Sequence, residues 1–484
     1  MVQIENSAPI ALAFLFKRLK WPVPMVRWLA AKEIRNLLNA PTTRDAATKQ
    51  LLESLIGCSC EYDVCALLSI IFMTATEARP AQAIVASNIK HPSLLGDMLL
   101  ERIYGSGMGG WDHTHAGEAP YDFEASNYFE KYCTAHVPPI LQTNLRRLER
   151  ASGFPFVQQW AFEWEFLRDN LGTTLTEYAH YFGDSLEARS GIIGQFWQRM
   201  RDVYVSAYLR TLAHAISEWG LPQHIAEGYC LDIVEAVAGI FDIEFGNRPK
   251  WLSNLPEQFF APDADLDKIT RELLTASQQE GMTIVSLDLP ISTSVHKYAR
   301  LQLTAHLITE NYQVPHGKFL YEKMPILPID KTFSLEGPPA NITLEEANSN
   351  GSLGGSEAAV CTCLFPIPFG TWQSDLFGVG LTIPAPYIVS NTKINCTAAG
   401  INLLSESEEL VSTTRVWNDN WTPTHPKSGS TRCGVTTMMD KFYLERAKLR
   451  LDRNLVFFVR LRTWARTEEY GDYTESEINK LITF

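Results

Sequence analysis

The segment Trp111-Asp112-His113-Thr114-His115-Ala116-Gly117-Glu118 holds the residue types that bind metals and move protons. Two imidazoles two residues apart can reach one ion from an extended chain, and Asp112 or Glu118 can complete the set. Such a set would serve a divalent-metal-dependent hydrolase or nuclease, with His136 as a further candidate. The segment lacks the HExxH spacing that places two histidines on one helical face. It also follows the glycine-rich run Gly105 to Gly110, where polar loop residues are common. A metal site and a plain polar loop both remain open readings.

Other reaction chemistry is harder to find. Cys58-Ser59-Cys60 with Cys65, and Cys361-Thr362-Cys363, lack the C-x-x-C loop that turns two sulfurs toward one zinc. Buried free thiols are the better reading. There is no G-x-x-x-x-G-K-[ST] for phosphates and no G-x-S-x-G nucleophile elbow. Glu163 and Glu165 flank Trp164 on different sides of a helix, with Glu163 on the polar face. His214 falls on the polar side of a long helix, where exposure is expected.

The C-terminal part offers a binding candidate instead. Trp417 and Trp421 stand near a run of eight cations between 441 and 466, against Glu445 and Asp452 only. Arg446, Arg450, Arg453, Arg460 and Arg462 belong to it. The run carries +6 while the whole chain carries −13, so the remainder carries −19. Rings beside arginines can stack on bases, anchor a protein partner, or simply fill a core. The cations can equally meet the chain's own acidic body.

Elements must position these residues. Apolar residues at 26, 29, 30, 34, 37 and 38 form a helical stripe after Pro24. Ser93 precedes a helical pattern through Ile103, and the clearest helix runs from about Ile192 to Trp219. Its expected polar face is Arg199, Asp202, Ser206, Arg210, His214 and Ser217. A further helix is expected over Gln223–Phe241. Strands are expected over Met282–Leu289, Gly378–Val389 and Leu455–Trp464, with a helical insert at 437–449. In the last strand Leu455, Phe457, Val459 and Leu461 should face the core, with Arg460 and Arg462 opposite. The fold class is therefore a mainly α N-terminal body over 1–280 and an α+β domain over 281–484 with an antiparallel or mixed sheet.

The spacing P-x-x-R-x-x-A-A-x-x-I-x-x-L from Pro24 to Leu37 resembles the second helix of a HEAT repeat. That resemblance implies stacked helical hairpins that present surfaces to partners. Phe156–Trp164 and Tyr204–Arg210 are similar to uncharacterised regions of bacterial antiviral-defence proteins, which implies a partner such as a separate ATPase or nuclease. No apolar run is long enough to cross a membrane. Ile10–Phe16 is followed by cations rather than preceded by them, so residues 8–20 read as a first helix. The nine cysteines show no regular disulfide-like spacing, and a cytoplasmic chain is expected. The resulting expectation is a non-catalytic interaction or scaffold subunit without a cofactor. The alternatives are a metal-dependent hydrolase using Asp112, His113, His115 and Glu118, and a nucleic-acid-binding subunit using the basic segment.

Overall fold

A computed structural model describes residues 7–21, 24–107, 113–124, 139–171, 197–252, 264–278, 281–294, 296–313, 341–342, 356–365, 372, 381–418, 433–468 and 472–483. The chain forms two compact units: Met1–Val237 with Pro368–Gln373, and Ala238–Ile367 with Ser374–Phe484.

The first unit is helical: α1 (Ser7–Lys17), α2 (Pro24–Asn39), α3 (Arg44–Ile56), α4 (Glu61–Met73), α5 (Gln82–Ser87), α6 (Leu94–Tyr104), α7 (Pro139–Ser152), α8 (Phe156–Asn170), α9 (Trp197–Ser217) and α10 (Gln223–Cys230). On α2 the buried stripe is rotated from the expected one. Arg27, Trp28, Ala30, Ala31, Ile34 and Leu38 are buried, while Leu29 is exposed. The Ser93 hydroxyl accepts from Gly96 N at 3.2 Å and caps α6, and Gly105, left-handed at φ 78°, closes it.

Helices α4 and α9 form the centre of this unit and pack on each other. Every residue of α4 from Glu61 to Ile71 is buried, as a helix apolar on all sides requires. On α9, every residue from Asp202 to Ala215 is buried, including Asp202, Ser206, Arg210 and His214 of the expected solvent face, while Ser217 of that face is exposed. The anticipated helix over Gln223–Phe241 stops at Cys230. One turn of 3-10 helix follows, and the Glu235 carbonyl accepts from Trp372 N at 3.0 Å. That tertiary partner replaces the bond a continuing helix would have made.

The second unit is an antiparallel sheet: β1 (Met282–Ser294), β2 (Lys297–Ile308), β3 (Asn341–Ile342), β4 (Glu357–Ala359), β5 (Cys361–Phe365), β6 (Leu381–Pro384), β7 (Thr392–Thr397), β8 (Gly400–Leu404), β9 (Leu410–Asn418), β10 (Cys433–Asp440), β11 (Asn454–Ala465) and β12 (Thr474–Thr483). The large sheet runs β12-β11-β2-β1-β10-β9-β8-β7-β3, with β4 also paired to β2, while β5 and β6 form a separate ribbon. The ribbon lies against β9 and β10, where Thr382 Oγ1 meets Thr437 Oγ1 at 2.7 Å. Among the described residues two α-helices belong here, α11 (Leu266–Ser277) and α12 (Lys441–Leu451). Helix α11 buries Leu266, Ile269, Leu273 and Leu274 and packs on β1, β11 and β12. Strand β11 is buried on both faces from Val456 to Leu461, so the alternation expected there is replaced by a central strand. Arg460 is only 3% exposed as a result.

Candidate functional site

A polar seam runs along α9 through Asp202, Ser206, Arg210 and His214, each one turn after the last. Asp202 receives Arg27 Nη2 from α2 at 3.2 Å, and Arg27 Nη1 also donates to Tyr62 Oη at 2.9 Å. The Ser206 hydroxyl accepts from Tyr62 N at 3.1 Å, satisfying a donor at the start of α4. Arg210 Nε donates to Glu61 Oε1 at 2.8 Å, and its Nη1 lies 3.8 Å from Glu163 Oε2 on α8. Glu61, Glu163 and Arg210 are nearly or wholly sealed from water, so solvation does not explain them.

The far end of the seam holds the histidine loop. Glu163 Oε1 accepts from Ala116 N at 2.8 Å, and Gln159 Oε1 accepts from Ala119 N at 2.9 Å. Gln159 Nε2 returns a bond to Gly117 O at 2.7 Å. His115 Nδ1 accepts from Gly117 N at 3.1 Å, which leaves Nε2 protonated and 3.3 Å from Ser217 Oγ. Both nitrogens of His115 are therefore engaged by protein groups. The ring of His115 meets that of His214 edge-on at 5.3 Å, and His214 sits against Trp219 at 4.9 Å. His113 turns elsewhere, its Nε2 3.5 Å from Asp97 Oδ2. Glu118 is exposed, and Asp112 and His136 lie outside the described residues. Among the described residues no three His, Cys, Asp or Glu side chains gather to hold a metal ion.

These environments shift the titrating groups. Burial raises the Glu163 carboxyl to about 7, against the hydrogen bond from Ala116 and the Arg210 charge. Burial also raises Glu61 despite its arginine partner. It lowers His214, helped by the nearby His115. Because Glu163 binds its proton more tightly in the folded chain than unfolded, its stabilising contribution is complete well below its ordinary value of 4.5. That contribution is lost as pH rises toward 7. Glu163→Gln keeps an acceptor for Ala116 and removes this titration. The variant should flatten the fall in stability between these values by on the order of 1–3 kcal/mol, read from denaturant midpoints at stepped pH. A pH slope identical to wild type would contradict the assignment.

The same physics acts on the described thiols, since burial disfavours the thiolate. Cys58, Cys60, Cys65, Cys230 and Cys361 are buried and free, and burial pushes Cys58 up to about 12.

The C-terminal candidates separate. Trp417 lies in β9 at 1% exposure, directly opposite Gly434 of β10. A Cβ on Gly434 would fall 2.4 Å from the Trp417 ring, so the ring lies across bare backbone. Trp421 lies outside the described residues. Arg460 Nη2 meets Glu477 Oε2 at 2.5 Å, and Arg462 Nε donates to Glu475 Oε1 at 2.8 Å. The Glu477 carboxyl is held low. Burial, which would raise it, is outweighed by hydrogen bonds from Asn479 and Arg460 and by the charges of Arg460 and Arg462. Arg450 donates to the carbonyls of Tyr387 and Ile388, and Arg453 is half-buried. Arg446 is exposed on α12 beside Phe442 and Leu449, the latter 83% exposed.

Helices α1, α2 and α3 enclose a groove of about 790 Å³ lined by Leu12, Phe14, Leu15, Leu37, Ala46 and Ala47. Its rim carries Arg18, Glu33, Lys49 and Glu53. Of the α1 side chains from Ile10 onward, only Phe16 is buried; Ile10 and Phe14 stand 70% and 52% exposed. The all-round apolar sequence Ile10–Phe16 was the signal available for this site, since such a helix requires cover.

No family model and no curated protein sequence matches the chain. Among the described residues no helix is long and apolar enough to cross a membrane.

Proposed function

We propose that this chain is a non-catalytic interaction subunit of a cytoplasmic complex, and that its helical unit docks a protein through the groove of α1, α2 and α3. The observation that carries the reading is the groove itself, an apolar concavity beside the exposed Ile10 and Phe14. Concave apolar surfaces with adjacent aromatic anchors favour protein contacts. The polar seam supports the same view, because its titratable side chains bond one another and the backbone rather than facing open space. The segments Phe156–Trp164 and Tyr204–Arg210, which resemble antiviral-defence proteins, lie in buried parts of α8 and α9. Their likeness therefore concerns how such a scaffold is built, with an ATPase or nuclease as the class of partner implied.

The metal-dependent alternative is weakened by His115, whose nitrogens already bond Gly117 and Ser217. The nucleic-acid alternative loses Arg460 and Arg462 to β12 and is left with the outer face of α12. Leu449 on that face suits a protein contact better than a phosphate chain.

Capture from native extract tests the reading. Wild type should recover a stoichiometric protein that Leu12→Glu/Phe14→Glu loses. Ile84→Glu, at an exposed apolar site away from the groove, should retain it. Equal recovery by all three proteins would reject the groove as the docking surface.

A further inference from the structure

We infer that the outer edge of β12 takes up an extended, basic polypeptide segment as a further strand of the sheet. This surface is separate from the α1–α3 groove and belongs to the other unit.

Strand β12 stands at one end of the sheet, and its inner edge pairs with β11 without a break from Thr474 to Thr483. Among the described residues no other backbone group bonds to it, although Arg271 Nη2 reaches the carbonyl of Thr483 at 3.4 Å. Of the side chains along the strand only Ile482 is buried. Such an edge offers a row of unpaired N–H and C=O groups, and the ligand that matches the row is another extended chain. Sheets ordinarily blunt their edges with short strands, prolines, bulges or an outward lysine. The opposite edge follows that rule, because β3 has only 2 residues. Strand β12 has 10, with neither proline nor glycine and no shift in register. Its one cation, Lys480, is drawn to Asp267 of α11 and does not guard the edge.

The charge of the occupant follows from what the edge has left. Lys480 turns toward α11, so Glu475 and Glu477 lie on the opposite face of the sheet. There Arg460 and Arg462 of β11 meet the two carboxylates from the inner side. Both bonds from Arg462 end on Glu475 Oε1, and Oε2 has no partner among the described residues. A strand laid outside β12 places side chains directly opposite Glu475 and Glu477, where acids repel and bases attract. Two cations two residues apart in that strand meet both carboxylates. The residues between them fall beside Ser476 and Ile478, which suits threonine or valine.

Fluorescence anisotropy on the full chain tests the inference, with a short labelled peptide that alternates lysine with threonine. Wild type should bind it saturably, and bound peptide should slow hydrogen exchange of β12 amides. A glutamate-for-lysine peptide should bind about tenfold more weakly or worse, and so should the lysine peptide with every amide N-methylated, which keeps its charge and loses its donors. Glu475→Lys should weaken binding of the lysine peptide by a similar factor with an unchanged thermal midpoint, because that side chain is 44% exposed. Leu12→Glu/Phe14→Glu should bind the peptide as wild type does, so that the groove and the edge stand or fall separately. Absence of saturable binding, unchanged β12 exchange, or equal binding of the methylated peptide would overturn the inference. So would a peptide-free dimer with β12 already protected, since the edge would then belong to a second copy.

Discussion

Arg210→Met should cost the helical unit about 3–5 kcal/mol, the range for breaking a buried ion pair by removing one partner. Arg210 is 4% exposed and stands between Glu61 and Glu163, neither of which is exposed at all. Without the guanidinium, two carboxyls share an apolar site and must both take protons to remain there. The penalty should therefore grow as pH rises and shrink toward pH values where both carboxyls are protonated. It should also largely disappear in Arg210→Met/Glu61→Gln/Glu163→Gln, because a network removed whole leaves no orphaned charge. Hydrogen exchange of α4 and α9 amides reads the helical unit separately, which matters because a chain of two units need not unfold in one step. Wild-type protection in Arg210→Met at pH 8 would mean that the seam is not structural.

That seam was also the part of the fold least legible in the sequence. Asp202, Ser206, Arg210 and His214 recur every fourth residue, which is how a solvated helical face reads. What buries them is distant in the chain. Arg27 is 175 residues from Asp202, and Glu61 is 149 residues from Arg210. One local sign existed: α4 is apolar for most of its length yet opens with Glu61 and Asp63, and acids on a fully buried helix need a cation. By contrast, α6 was legible from Ser93 and its apolar stripe, and β1 from its β-prone run over Met282–Leu289, though the strand continues through Pro290 to Ser294. Those features depend on neighbours in sequence. The division into a helical N-terminal body and a C-terminal α+β domain followed from such local periodicities, whereas the choice between an antiparallel and a mixed sheet did not. Arg460 did not follow, because its burial depends on Glu477 and on cover over both faces of β11.

Trp417→Ala separates the roles open to this residue, because core and binding tryptophans respond oppositely. A ring that meets a ligand costs affinity when removed and leaves the fold intact. Trp417 is 1% exposed, and its ring crosses Gly434, where even one added carbon would sit 2.4 Å from Cζ2 and 3.0 Å from the Asp288 carbonyl. Glycine in a strand otherwise loses side-chain packing, and the indole supplies it from the neighbouring strand. Truncation should therefore destabilise the sheet unit by about 3–5 kcal/mol, as large aromatic deletions do, with exchange protection lost first in β9 and β10. Gly434→Ala attacks the same contact from the other side by overfilling it. The double variant should be less damaged than the two single losses added together, since the new methyl enters space the indole has left. Additive losses would show that ring and glycine do not share that space. A Trp417→Ala midpoint within about 0.5 kcal/mol of wild type would return the residue to the surface, where an anchoring role for a partner becomes the better account.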